Sequence, residues 1–291
     1  MYAAAAIMWG SSFYWLTFPT PELGWGATVA IRSFIACGLL LGFAVVTRRT
    51  LDFKSQWYNL AVLAIFNVVC NVGGMNYAII HQGTALTGIL CSTIPLFSVL
   101  IEWAWHKKRP SKSVWLGLLL GFTGVIVLIG FNARPVDSEL LHGVMGSMIA
   151  AVGFAFGGSW AKAKLPHLGS YEQTIGTFFF GGLWSLLFLF FVPIAVWPPS
   201  AKAIGGLITV AATASAMAFI FYYKLIDEIG TTKTLTAEFW VPVVAVIVGW
   251  LALDEVITFM QLVGAAMISV GCFIVMGLGT KKIDVVDTVA H

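Results

Sequence analysis

Glu238 stands inside a continuous apolar run, about 10 Å from its nearer end at 1.5 Å per residue along a helix. A carboxylate at such a place is unfavourable unless it faces a cavity or a partner. Facing a cavity, it binds a substrate amine or carries a proton. The other reading is a structural pair with Lys233 or a polar neighbour, although five residues of helix set the two side chains about 140° apart. Lys233 can equally reach back to an aqueous interface along its apolar stem. Arg32 is the other charge within an apolar run. Its guanidinium suits a carboxylate through two parallel hydrogen bonds, and equally suits capping of helix carbonyls or a pair with Glu22. Around these charges stand groups with apolar bodies and polar tips: Trp9, Ser12 and Tyr14 near the start, Asn76, Tyr77 and His81 at the end of one apolar run, and Trp160 and Tyr223 later. Such groups suit the wall of a site for a mostly apolar solute with a few polar atoms. Each aromatic is as readily a core or lipid-facing residue. A histidine can serve as a proton carrier, but His81 sits next to a loop.

Catalytic chemistry has little support. The sequence holds no phosphate-binding loop, no HExxH and no paired-acid metal motif. Gly10–Ser11–Ser12 lacks the second glycine of a nucleophile elbow. Cys37, Cys70, Cys91 and Cys272 lie in apolar stretches without metal-ligand spacing. No catalytic residue, metal or cofactor is expected, and the chain is read as a non-enzyme. The net charge of +3 comes from scattered basic residues, so no nucleic-acid partner is expected.

The elements that position these groups must lie in lipid. Of the 291 residues, 59% are apolar and 10% charged, and mean hydropathy is +0.92. A soluble domain carries about 25% charged residues. Runs of about 20 apolar residues, the length needed to cross a bilayer, predict helices at 2–18, 25–46, 58–80, 84–105, 113–131, 141–161, 171–194, 203–223, 231–252 and 257–278. No basic residue precedes the first run, which argues against a cleaved signal peptide. If the N-terminus is cytoplasmic, twelve loop cations fall inside, among them Arg48, Arg49 and Lys107–Lys108–Arg109, and only Arg134 and Lys202 fall outside. The positive-inside rule therefore places both termini in the cytoplasm.

Sliding the sequence on itself by 147 residues aligns Thr84 with Thr231, Thr87 with Thr234, Pro95 with Pro242 and Trp103 with Trp250. The same offset aligns Gly117 with Gly264, Gly124 with Gly271, Gly10 with Gly157 and Ser12 with Ser159. The expected fold is thus an all-α membrane protein of ten transmembrane helices, built as two five-helix repeats at 1–132 and 139–279 with a tail at 280–291. Five is odd, so the second repeat must be inverted, an arrangement that suits two packings, each open to one side. Pro95 and Pro242 interrupt their helices and are the candidate pivots. Gly117 and Gly121 allow close helix approach, within one chain or between protomers, so monomer and homodimer both remain open.

WGSSF at 9–13, Arg32, and the series Gly230, Pro242, Glu255, Gly264, Gly271 with its first-half copy Gly83, Pro95, Gly117, Gly124 resemble the ten-helix EamA-type branch of the drug/metabolite transporter superfamily. The resemblance covers essentially the whole chain. It implies that four helices of each half surround a central cavity while the fifth is peripheral. It also implies export of small metabolites, amino acids being the best-represented class, across the cell inner membrane. Where many halves place an acid after the fourth helix, this chain has Lys107–Lys108–Arg109, so no role of that acid carries over. A sugar-phosphate or nucleotide-sugar exchanger is the alternative, but phosphates would call for several intramembrane cations. A membrane-embedded enzyme or a scaffold is the remote one.

Overall fold

The computed structural model describes residues 1–53, 55–106, 111–130, 137–229, 234, 237, 240–254 and 256–275. Glu238, Lys233, Gly230, Glu255, the basic cluster 107–109 and the tail 280–291 lie outside the described residues.

Every regular element among the described residues is helical. In chain order they are α1 Tyr2–Leu16, α2 Pro19–Val46, α3 Trp57–Gln82, α4 Thr84–Cys91, α5 Ile94–His106, α6 Lys112–Gly130, α7 Ser138–Lys164, α8 Ser170–Phe190, α9 Ala201–Ile229, α10 Trp240–Leu253 and α11 Phe259–Val275. Six of the described segments are long and apolar enough to cross a bilayer: α2, α3, α7, α8, α9 and the stretch Thr84–Trp105 that contains α4 and α5. Shorter apolar helices accompany them.

Three departures from regular helix have local causes. In α2, Gly24 adopts φ +76°, a backbone region that a side chain disfavours, so the regular helix runs from about the expected residue 25. The fourth expected span is not continuous. It breaks at Ser92 and Thr93 because Pro95 offers no N–H and its ring crowds the carbonyl one turn back. The hydroxyls of Ser92 and Thr93 donate to Ile89 O (2.6 Å) and Leu90 O (2.7 Å), and the Cys272 thiol of α11 donates to Ser92 O at 3.1 Å. The backbone polar groups around the break are therefore satisfied without water, as a membrane interior demands. Third, α3 and α9 each carry a π-helical stretch, at Ile65–Gly73 and Ala211–Met217.

Glycines set the closest helix contacts. A Cβ on Gly117 would lie 2.7 Å from Gly271 O, and one on Gly124 would lie 2.8 Å from Gly264 O. Helices α6 and α11 thus meet backbone to backbone. Gly117 joins two helices of one chain, and Gly121 accommodates Leu96 of α5. Helices α3 and α7 meet in the same manner through Gly74 and Gly146. Between α2 and α9, Glu22 accepts from Ser200 N (2.6 Å) and Ser200 Oγ (2.7 Å), which ties the segment before α9 to the start of α2. The largest buried cluster joins α2, α3, α7, α8 and α9, with Phe154, Phe178, Phe219, Tyr222 and Tyr223 at its centre.

Candidate functional site

A cavity opens near the middle of the helices that surround it. Trp9, Ser12 and Leu16 of α1, Arg32 of α2, and Asn71, Val72 and Met75 of α3 line it, with Ile94 at the head of α5. Phe154 of α7, Ala214 and Phe219 of α9, and Val241 of α10 complete the lining. About 40 Å³ is open to water centres. One water needs about 10–15 Å³, so the cavity has room for a few waters.

Arg32 is the cavity's charge among the described residues. It is 4% exposed, and its Nε and Nη2 donate to Ser215 Oγ at 3.0 and 2.7 Å. Glu22 does not pair with it, because both Glu22 oxygens are held by Ser200. Ser215 belongs to the π-helical stretch of α9. The neighbouring carbonyl of that stretch, Ala214 O, accepts from Trp9 Nε1 at 3.1 Å. Two of the first-half donors that line the cavity, Arg32 and Trp9, therefore end on one widened turn of α9. A π turn inserts an extra residue and realigns the side chains around it. Asn71 donates to Ala150 O of α7 at 3.2 Å, and Ser12 donates to Trp9 O at 2.6 Å.

One wall is aromatic. The Trp9 ring lies edge-on to Phe154 (5.6 Å between centroids), Phe219 (5.8 Å) and Tyr222 (5.7 Å), and Phe154 stacks on Tyr222 at 4.7 Å. Behind this wall Tyr223 is 1% exposed. Its hydroxyl accepts from Asn67 Nδ2 at 2.9 Å and lies 3.1 Å from Thr177 Oγ1.

The sequence-derived candidates divide accordingly. Trp9, Ser12 and Arg32 line the cavity. Tyr223 lies one layer behind it, against Phe219. Asn76 is fully buried on α3, where it donates to Val72 O at 2.8 Å and meets Thr20. Pro95 is buried directly after the break, and Pro242 lies in α10. Four candidates are elsewhere. Tyr14 lines a separate groove with Trp15, Phe18 and Lys202, since five residues turn it about 140° from Trp9. Tyr77 packs on Trp25 and His81. His81 is occupied with Glu139, 2.5 Å from Nδ1 to Oε2, at the end of α3. Trp160 faces Trp105 and Phe156 and donates to Asn59 O at 3.2 Å. Asn71, Ser215, Phe154 and Phe219 were not singled out. The signal for the first two was available, namely a polar side chain in mid-run within an apolar helix.

The model of the EamA-like transporter family matches residues 1–130 and 141–277. The chain belongs to that family. Like other EamA-like transporters it is a multi-pass membrane protein. It is 23% identical to the uncharacterized transporter YoaV of Bacillus subtilis over 84% of each chain. It is also 23% identical to an uncharacterized transporter of Archaeoglobus fulgidus over 94% of each. A crystal structure with 17% sequence identity superposes with a TM-score of 0.69, covering 95% of this chain and 96% of its own, and supports the fold alone.

Proposed function

We propose that this EamA-like transporter exports small metabolites, amino acids foremost and apolar or aromatic ones among them, across the cell inner membrane by alternating access. The observation that carries the reading is the small cavity held between helices of both halves of the sequence, with a buried guanidinium and an aromatic wall. Its carrier is a ten-helix chain of two inverted repeats, with both termini cytoplasmic.

Three features support the repeat. Under the offset of 147, the contact of Gly117 with Gly271 becomes that of Gly264 with Gly124, and both contacts occur. The π-helical stretch of α3, moved by the same offset, overlaps that of α9. The family model covers both halves. Helices α6 and α11, the fifth of each half, pair with one another, and neither lines the cavity. Pro95 and Pro242 serve as pivots in this reading, and Glu238 as a candidate for amine or proton handling. A phosphate-bearing substrate is disfavoured, because Arg32 is the one cation of the described lining. Proteoliposomes loaded with labelled amino acids or sugar phosphates test the reading. Flux of the amino acids is expected, and absence of flux for every small solute would reject it.

A further inference from the structure

We infer that Arg32 is the anchor for a carboxylate, so that the solutes taken by this cavity are small organic acids or zwitterions with an apolar or aromatic body. The inference rests on the transport reading above and deepens it. A guanidinium offers five N–H donors in a fixed plane. In Arg32, Nε and Nη2 both end on one oxygen, Ser215 Oγ. The end of the fork at Nη1 has no acceptor among the described residues.

Three observations converge on an anion at that end. The residue is 4% exposed and lines the cavity. No carboxylate of the described residues pairs with it; the ion pairs found are Arg49 with Glu172, His81 with Glu139, and Lys224 with Glu228. Among the described residues this buried charge is held by one neutral hydroxyl alone, and an entering anion compensates it further. Trp9, Phe154 and Phe219 give the lining its aromatic wall, and Ser12 and Asn71 are its uncharged polar side chains.

Ser215 gives the site its direction. By accepting at the Nε side it fixes the plane of the guanidinium and leaves the outer edge aimed for two parallel bonds to a carboxylate. Ser215 is 0% exposed and sits in the π-helical stretch, so it is a positioning residue that does not itself touch solute.

The test uses the purified full chain and four probes that share a phenyl ring: phenylalanine, phenylacetate, phenylacetamide and phenethylamine. Binding is read by the shift of the melting temperature and by quenching of tryptophan fluorescence. Hydrogen bonds to a charged group are worth about 1.5–3 kcal/mol, so phenylacetate is expected to bind about 10- to 100-fold tighter than phenylacetamide. In Arg32→Gln that ratio should collapse to about one by the same reckoning. If Arg32→Gln does not fold, Arg32→Lys serves, since it keeps a charge but not the fork, and the ratio should fall. Ser215→Ala should weaken phenylacetate and leave phenylacetamide unchanged. Equal binding of phenylacetate and phenylacetamide to the natural protein overturns the anchor and leaves the transport reading intact. So does an acid preference that survives unchanged in the Arg32 variants. Failure of all four probes to bind or to be transported overturns both.

Discussion

The cavity and the seam between α6 and α11 are built from the same apolar composition and do opposite things. At the seam, Gly117, Gly124 and Gly271 bring two backbones so close that no side chain fits between them. At the cavity, Trp9, Phe154 and Phe219 hold the helices apart, and the donors of Arg32 and Trp9 bridge the gap to one turn of α9. Helices in lipid gain little from apolar burial against each other, so close contact must come from shape and from hydrogen bonds. The seam uses shape alone. The cavity uses hydrogen bonds and leaves room. The difference separates a part that resists change from a part that can accommodate a solute.

The contrast can be broken most directly at the seam. Gly271→Leu places side-chain atoms where Gly117 O now lies 2.6 Å from a would-be Cβ. Overpacking costs about 1–3 kcal/mol where neighbours can shift and more where they are backbone, so the yield of monodisperse protein should collapse. A normal yield and melting temperature would show that the seam is loose. The next effect belongs to the cavity. Asn71→Leu loses one hydrogen bond to Ala150 O, about 1 kcal/mol of stability, yet flux should fall about tenfold if a polar lining is needed by the solute. Equal losses of flux and stability would erase the distinction between the two regions.

A smaller effect is expected at the pivots. Pro95→Ala and Pro242→Ala should change transport rate more than expression, by a few-fold, since each restores a backbone donor to its helix. Normal rates in both would remove the pivot role. Glu238→Gln should reduce flux while folding persists, and unchanged flux would assign Glu238 to structure. The smallest effect is expected at Tyr14, which faces the separate groove. Tyr14→Ala should leave cavity-dependent flux within about twofold, as for a surface change distant from the site.

Apolar run length located the described long helices because lipid crossing fixes that length, although α9 runs to Ile229 rather than to the expected residue 223. Run length missed the break at Ser92–Thr93, although Pro95 pointed to it, since a run of apolar residues reads the same whether straight or broken. Which residues face inward was harder. A helix apolar all round has no preferred face in its sequence, so Tyr14 and Trp160 looked as eligible as Trp9. Phe154 and Phe219 looked like any other aromatic. Arg32 was recognisable by charge. Ser215 is visible as a polar side chain in mid-run, but its pairing with Arg32 is not, because the π-helical stretch that presents it leaves no mark in composition.

The two ties between α2 and α9 have a mechanical consequence. Glu22 holds Ser200 at the start of both helices, and Arg32 holds Ser215 further along both. Two attachment points on each helix fix their mutual tilt as well as their separation. The pair behaves as a strut that carries load between the first and second halves of the chain. Under the proposed alternating access, rotation of one half against the other would fall to helices without such a brace, chiefly the broken span of α4 and α5. Spin labels on α2 and α9 should keep their spacing through a transport cycle, while labels on α5 and α7 should not.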